Sequence, residues 1–174
     1  GGSGLSYAQR NGGDQDVLVR LNVPVSNSLV SLAWQGMYKV IAEVNAFIES
    51  MGKSTLSDDV KKQMLGEAYF LRALAYYNLA TVWGDVPLKT VASSSDGIAI
   101  KRSPKEEVYA QVLADFQEAA KNMSPESEDG RANAWAAKAY LGKVYHKMAR
   151  LGIDASANLA NAKKIFDEVY ASGV

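Results

Sequence analysis

The spacing of apolar residues from residue 28 onward is the strongest constraint on how this chain can fold. These residues recur at alternating intervals of three and four, which places them on one face of an α-helix. The first face comprises Val30, Trp34, Met37, Ile41, Val44, Ile48 and Met51. Gly52 follows at the position where a glycine commonly ends a helix. The pattern therefore predicts a helix over residues 28–51.

A second and a third helix are predicted by the same spacing and by their terminal residues. The second begins after Ser57 and ends at Gly84. Its predicted apolar face is Val60, Met64, Ala68, Leu71, Ala75, Asn78 and Val82. The third has Ser103 as N-cap and Pro104 as its first residue, and Glu106 completes a capping box. Its predicted face is Val108, Val112, Phe116, Ala119 and Met123.

The last two helices are predicted at about residues 133–150 and 157–171, separated by Gly152. The predicted buried face of the fourth helix is Ala134, Ala137, Leu141, Val144 and Met148. The apolar side of the fifth is Leu159, Ala162, Ile165, Phe166 and Val169. Because no convincing pair of strands accompanies these helices, the predicted fold class is all-α.

Two segments lie outside the predicted helices. Residues 1–27 are polar and rich in turn-forming residues, which predicts an irregular arm before a helical domain over 28–174. Within the arm, residues 17–21 are a short extended stretch that would need a partner strand elsewhere. The connector over residues 85–102 is longer than most links between helices, which makes it a candidate working loop.

The helices contain a repeated pattern of small and aromatic residues. Leu141-Gly142-x-x-Tyr145, followed by Ala162-x-x-x-Phe166, resembles the two halves of a tetratricopeptide unit. Val112-x-x-x-Phe116-x-x-Ala119 resembles the second half of another such unit. The small residue lets the paired helix approach, and the aromatic ring fills the space beside it. The sequence therefore predicts tetratricopeptide-like helix pairs stacked in an α–α superhelix.

Composition excludes several classes of function. Lys plus Arg and Asp plus Glu each number 19, so the chain lacks the basic surplus of a nucleic-acid-binding protein. The chain has no cysteine, which removes disulfides, thiolate metal sites and cysteine nucleophiles. No apolar run approaches the length that spans a bilayer, and no signal peptide is visible. Since the chain opens on Gly1-Gly2-Ser3-Gly4, we expect it to be part of a longer protein.

An ordered series of motifs resembles the RagB/SusD family of nutrient-binding proteins. The series begins with Trp34-x-x-x-Tyr38-x-x-Ile41-x-x-x-Asn45-x-x-Ile48 and continues with Glu67-Ala68-x-Phe70-Leu71-Arg72-Ala73-x-x-Tyr76-Tyr77-x-Leu79. Trp83-Gly84-Asp85-Val86-Pro87-Leu88 is similar to the family's turn after this helix. Arg102-Ser103-Pro104-x-Glu106-Glu107-Val108-Tyr109, Asp115-Phe116-x-x-Ala119 and Gly130-Arg131-Ala132-x-Ala134-x-Ala136-Ala137 then follow in the family's order.

The resemblance implies a function for the whole protein. Members of the family capture oligosaccharide at the cell surface, without catalysis, for a SusC-like TonB-dependent transporter. They are lipid-anchored in the outer membrane, and their helical portion acts as a scaffold. Family members are usually far longer than this chain, and their lipidated cysteine and C-terminal portion have no counterpart here. The resemblance implies no cofactor and no metal.

Eight residues are candidates for the function or for the architecture that supports it. In the arm, Tyr7, Arg10 and Asn11 combine a ring with polar groups, as oligosaccharide sites do, and Trp83 is a second ring that could stack on a sugar. Four residues are predicted to be structural: Arg72, Asp85, and the two asparagines Asn45 and Asn78, which are expected to be partners in interhelical hydrogen bonds. A charge on the apolar side of a helix requires partners. Arg72 is therefore expected to hold either the turn at residues 84–87 or a carboxylate of a neighbouring helix.

The other polar residues fit structural explanations. The acid pairs Asp58-Asp59 and Glu106-Glu107 each lie in the first turn of a predicted helix, where acids favour the helix dipole. His146 is the one histidine, and it lacks the neighbouring ligands that a metal site needs. One alternative function stays open, a tetratricopeptide-type scaffold that binds a peptide or partner protein in its groove. No nucleophile with a matching base supports an enzyme.

Overall fold

In the computed structural model of this chain, the described residues are Val17, 23–24, 26–92, 100–126 and 129–174. Within them, five complete α-helices follow one another, and no strand is present beyond one isolated bridge. They are α1 Ser28–Met51, α2 Asp58–Trp83, α3 Lys105–Asn122, α4 Ala134–Arg150 and α5 Ala155–Ala171. The predicted all-α fold class is confirmed.

The chain divides into a unit of residues Gly1–Lys39 and a unit of residues Val40–Val174. In the described part of the first unit, the side chain of Asn27 accepts hydrogen bonds from the backbone N–H groups of Leu29, at 3.1 Å, and Val30, at 3.2 Å. This side chain therefore satisfies two of the amide groups that the first turn of a helix leaves unpaired.

The second unit is built from helices that pack on their neighbours in chain order. α2 packs on α3, α3 on α4, and α4 on α5. Its centre is an aromatic cluster that joins three helices. Phe70 of α2 meets the rings of Phe116 and Tyr140 edge to face, with centroids 5.5 Å and 5.6 Å away, and Phe116 stacks on Tyr140 at 5.2 Å. These are favoured geometries for aromatic pairs, and they hold α2, α3 and α4 in one core.

Two glycines set the closest approach within the helix pairs. A Cβ at Gly142 of α4 would lie 2.6 Å from Cε1 of Phe166 in α5, as expected from the predicted repeat pattern. A Cβ at Gly66 of α2 would lie 2.6 Å from Cγ of Met123, just beyond α3. Leu65-Gly66-x-x-Tyr69 repeats the Leu141-Gly142-x-x-Tyr145 pattern. The sequence analysis missed this first copy, which identifies α2–α3 as the counterpart of α4–α5.

The buried faces of α2 and α5 differ from the predicted ones. On α2, Val60, Leu71 and Val82 are exposed, and the helix instead buries a broad face that includes Phe70 and Tyr76. Apolar residues occur on all sides of α2, so their spacing alone does not select the face that contacts α3 and α4. On α5, Leu159 and Phe166 are partly exposed because α4 is the one helix that packs along it among the described residues.

The predicted start of the third helix was wrong by one residue. The helix begins at Lys105 with Pro104 as its N-cap, because the Pro104 carbonyl accepts the first helical bonds, from the N–H groups of Glu107 and Val108. Of the extended stretch predicted over residues 17–21, residues 18–21 lie outside the described residues, and Val17 has a helical backbone.

Candidate functional site

Arg72 lies at the centre of a buried polar cluster that joins α2 to α3 and to the start of the connector. Its side chain is 5% exposed, and that of Asp115 is 3% exposed. Arg72 Nε donates to Oδ2 of Asp115 at 2.8 Å, and Nη2 donates to Oδ1 at 2.7 Å. Gln111 Nε2 donates to the same Oδ1 at 2.9 Å. The pair is therefore bidentate, the arrangement that best matches a guanidinium to a carboxylate.

The remaining Arg72 nitrogen contacts α1 and the connector. Nη1 donates to Oδ1 of Asn45 at 2.7 Å and to the Thr90 carbonyl at 3.0 Å. Asn45 Nδ2 then donates to the carbonyls of Lys89, at 3.1 Å, and Val91, at 3.0 Å. Three successive backbone carbonyls are thus held by two side chains. We call Arg72, Asn45, Asp115 and Gln111 the Arg72 cluster.

Tyr76 holds the same segment one helical turn further along α2. Its hydroxyl donates to the Lys89 carbonyl at 2.9 Å and accepts from the Lys89 N–H at 2.6 Å. The phenol is fully buried. Residues 89–91, which precede the undescribed part of the connector, are therefore bonded to α1 and α2 through their backbone. These bonds involve backbone groups, so they depend little on the side chains at 89–91. The residues from which this contact could be predicted are Arg72, Asn45 and Tyr76.

All polar atoms of the cluster are satisfied, since no described buried side-chain nitrogen or oxygen lacks a partner. Burial lowers the pKa of Arg72, but the hydrogen bond and the charge of Asp115 outweigh it and raise that pKa above its ordinary value. The guanidinium therefore stays charged. With its carboxylate and amide partners all engaged, the cluster holds backbone in place and offers no group for chemistry on a substrate.

Replacing Tyr76 with phenylalanine is expected to reduce the loss of stability at high pH. Burial raises the pKa of Tyr76 from its ordinary value of about 10 to about 12. Between these values the unfolded chain has released the proton and the folded chain retains it, so stability falls as pH rises through this window. Chemical denaturation of both proteins at neutral and several alkaline pH values measures the difference.

Two other tyrosines also contribute to the loss of stability at high pH, because burial raises the pKa of Tyr77 and Tyr109. Both remain in the variant, so its stability should still fall at alkaline pH, but by less than that of the wild type. Parallel pH profiles for the two proteins would contradict the assignment to Tyr76.

The turn after α2 is fixed by Asp85 and by a backbone bridge. Asp85 Oδ1 accepts from the Lys105 N–H at 2.9 Å and so caps the first turn of α3 from across the connector. Val86 pairs with Ser103 in the isolated bridge. Both ends of the connector therefore meet beside the start of α3. Asp85 thus contacts α3 and not Arg72, whose carboxylate partner is Asp115.

The other predicted residues lie apart from this cluster. Asn78 donates to the Leu74 carbonyl of its own helix at 2.9 Å, so this bond is intrahelical and not interhelical as expected. Trp83 is half-buried at the end of α2. Tyr7, Arg10 and Asn11 lie outside the described residues. Asp115 and Tyr76 belong to the quoted family motifs, but their role in this cluster was not predicted; that of Asp115 could have been found, since it is an acid on the apolar face of α3.

A groove of about 390 Å³ lies on the second unit between α1 and α2. Its walls are mostly apolar, and Glu43, Glu67 and Arg131 add charge. Arg131 and Glu67 form an ion pair. None of the predicted ligand residues lines this groove.

The part of the chain that the structure describes contains no group of three or more His, Asp or Glu residues placed to hold a metal ion. None of its helices is both long enough and apolar enough to cross a membrane.

Comparison with known proteins gives a consistent family assignment. Residues 12–146 match the model of a SusD-like family described as starch-binding and associating with the outer membrane. A SusD-like protein of Bacteroides ovatus is 31% identical over 155 residues, which cover 87% of this chain and 28% of that protein. SusD-like protein P38 of Formosa agariphila is 39% identical over 118 residues, 67% of this chain and 23% of the relative.

Solved structures share the helical fold. A SusD superfamily protein from Parabacteroides distasonis superposes with a TM-score of 0.83 at 28% identity, over 90% of this chain and 34% of that one. A crystal structure with xylogluco-oligosaccharide gives 0.78 at 28% identity, over 88% and 32%. A laminarin-binding SusD-like protein gives 0.73 at 25% identity, over 83% and 32%.

The match to the family model covers most of this chain, in agreement with the ordered motifs of the sequence. The chain spans 28% of the length of the Bacteroides ovatus relative that it matches. The family description is one of binding and not of catalysis. The chain belongs to the SusD-like family of starch-binding proteins that associate with the outer membrane.

Proposed function

We propose that the full-length protein binds an oligosaccharide nutrient at the cell surface and does not transform it chemically. The observation that carries this proposal is the family match over residues 12–146. It is supported by the likeness of the fold to a structure with xylogluco-oligosaccharide and to a laminarin-binding protein. These two relatives take different glycans, so the shared helices do not by themselves select one sugar.

The proposed partner is a SusC-like TonB-dependent transporter, and the proposed location is the outer membrane through a lipid anchor. The family's association with the outer membrane supports the location. A binding protein held beside its transporter hands over ligand at a high effective concentration, so delivery needs motion but no chemistry.

The described helices act as a scaffold in this proposal. The Arg72 cluster and Tyr76 hold residues 89–91 in place, and Asp85 ties the turn after α2 to α3. Trp83 lies at that turn and is half-buried, and its aromatic ring is of the kind that stacks on a sugar face. Together with Tyr7, Arg10 and Asn11, it stays a proposed ligand contact.

A glycan array followed by calorimetry, run on the 174-residue chain and on the full-length protein, tests the proposal. We expect the full-length protein to bind at least one oligosaccharide. Binding by the longer protein alone would identify the helical part as scaffold. Binding by the short chain as well would place the site within it, and Trp83→Ala and Tyr7→Ala should then weaken the affinity.

A full-length protein that binds no glycan would contradict the proposed function. Capture of a peptide in the groove of the short chain would favour the alternative of a tetratricopeptide-type scaffold.

A further inference from the structure

Positive charge is concentrated on one helix of a chain that is neutral as a whole. α4 carries Lys138, Lys143, His146, Lys147 and Arg150, and its sequence contains no acidic residue. The full chain has equal numbers of basic and acidic residues. The field near this helix is therefore positive, although the net charge of the chain is zero.

Three of these residues form a row along the solvent side of α4. Lys143, Lys147 and Arg150 are separated by four and three positions, which places them on one face. Lys143 and Arg150 are exposed, and Lys147 is half-buried. The rise of an α-helix separates them by about 6 Å and about 4.5 Å along the axis. We call these three residues the α4 cation row.

Each residue of the row also has a role within the fold. Lys147 and Arg150 lie in the last turn of α4, where cations favour the helix dipole. Lys143 lies further back, with its Nζ 4.5 Å from the centre of the Tyr140 ring. Lys138, outside the row, pairs with Glu168 of α5 at 3.2 Å. Within the described residues, no carboxylate lies within ion-pair distance of the row.

We propose that the α4 cation row binds an oligosaccharide that carries carboxylate groups, such as a chain of uronic acid units. The row presents three cations on one side of a rigid helix, and a uronate chain carries a carboxylate on every unit, so several charge pairs can form at once. Close, similarly spaced charges act together on such a ligand, while single surface ion pairs contribute little. This proposal rests on the proposed glycan-binding function and narrows it to acidic glycans at this surface.

Calorimetry at low and at high salt measures the affinity of the 174-residue chain for oligogalacturonate and so tests whether the α4 cation row binds it. The double variant Lys147→Gln/Arg150→Gln removes two charges from the row. The matched control, Lys163→Gln/Lys164→Gln, removes two exposed lysines from α5 and changes the net charge equally. Lys147 is half-buried and the other three side chains are exposed, and none is in the core, so both variants should fold, which circular dichroism verifies.

We expect wild type and control to bind with similar affinity, the row variant to bind about tenfold more weakly, and salt to weaken all binding. Absence of binding to wild type, or equal weakening in both variants, would overturn the proposal. Tighter binding of a glutamate-rich peptide of equal charge would overturn it in favour of an acidic protein partner. Neutral-glycan binding by the full-length protein is measured separately, so failure of the row leaves the proposed function standing.

Discussion

Replacing Arg72 with leucine is expected to lower the free energy of unfolding by about 3–5 kcal/mol, because it leaves the Asp115 carboxylate buried without its cation. At this chain length that loss corresponds to a fall in melting temperature of roughly 10 °C. The substitution also removes the donor to Asn45 and to the Thr90 carbonyl. Thermal and chemical denaturation of the 174-residue chain measure both quantities.

Two further variants separate the buried pair from a general loss of charge. Lys163→Leu breaks an exposed ion pair with Asp167 on α5 and should change stability by less than about 1 kcal/mol. The double variant Arg72→Leu/Asp115→Leu removes both buried charges and should be more stable than Arg72→Leu alone. An unchanged melting temperature for Arg72→Leu would show that the cluster contributes nothing measurable to stability.

Replacing Gly66 with alanine is expected to destabilise the chain by about 1–2 kcal/mol, although alanine is the better helix former. The added Cβ would lie 2.6 Å from Cγ and 3.0 Å from the backbone nitrogen of Met123, and 3.2 Å from Cβ of Asn122. A flexible side chain can move away, but backbone at the end of α3 can do so only if the helix shifts. Chemical denaturation measures the change.

Two other helical glycines provide the comparison. Gly36 of α1 has no described atom within 4 Å of its added Cβ, so Gly36→Ala should stabilise by about 0.5–1 kcal/mol. The three atoms nearest to a Cβ added at Gly142 all belong to the ring of Phe166, a residue that is 40% exposed and able to turn aside, so the effect of Gly142→Ala should fall between the other two. Equal effects at Gly36 and Gly66 would mean that the contact with Met123 does not limit the approach of α2 and α3.

The positions of the helices, and the buried faces of two of them, could be predicted from the sequence. For α3 and α4, all five apolar residues predicted for each helix are buried. Both helices have one apolar side and one polar side, so the helical period is enough to assign the buried side. The glycines after α2 and α4 mark the helix ends, since Gly84 and Gly152 adopt positive φ angles of 73° and 78°.

The ligand residues could not be predicted in the same way. Tyr7, Arg10, Asn11 and Trp83 were chosen for their chemistry, which suits sugar binding but occurs in many solvated segments. The α4 cation row was not predicted either, although the helix predicted over residues 133–150 and its predicted inward face already place the three residues together on the outward side.

Local sequence thus established that five helices form, where α2 and α4 end, and that Arg72 needs partners. The packing of the helices selected Asp115 over the turn at residues 84–87, placed Lys89, Thr90 and Val91 within reach of the same cluster, and exposed Leu71 while burying Phe70. The physical reason is the separation along the sequence of the residues that interact. Helix periods and caps depend on neighbours within a few positions, whereas Arg72 and Asp115 are 43 positions apart and meet only when α2 packs on α3.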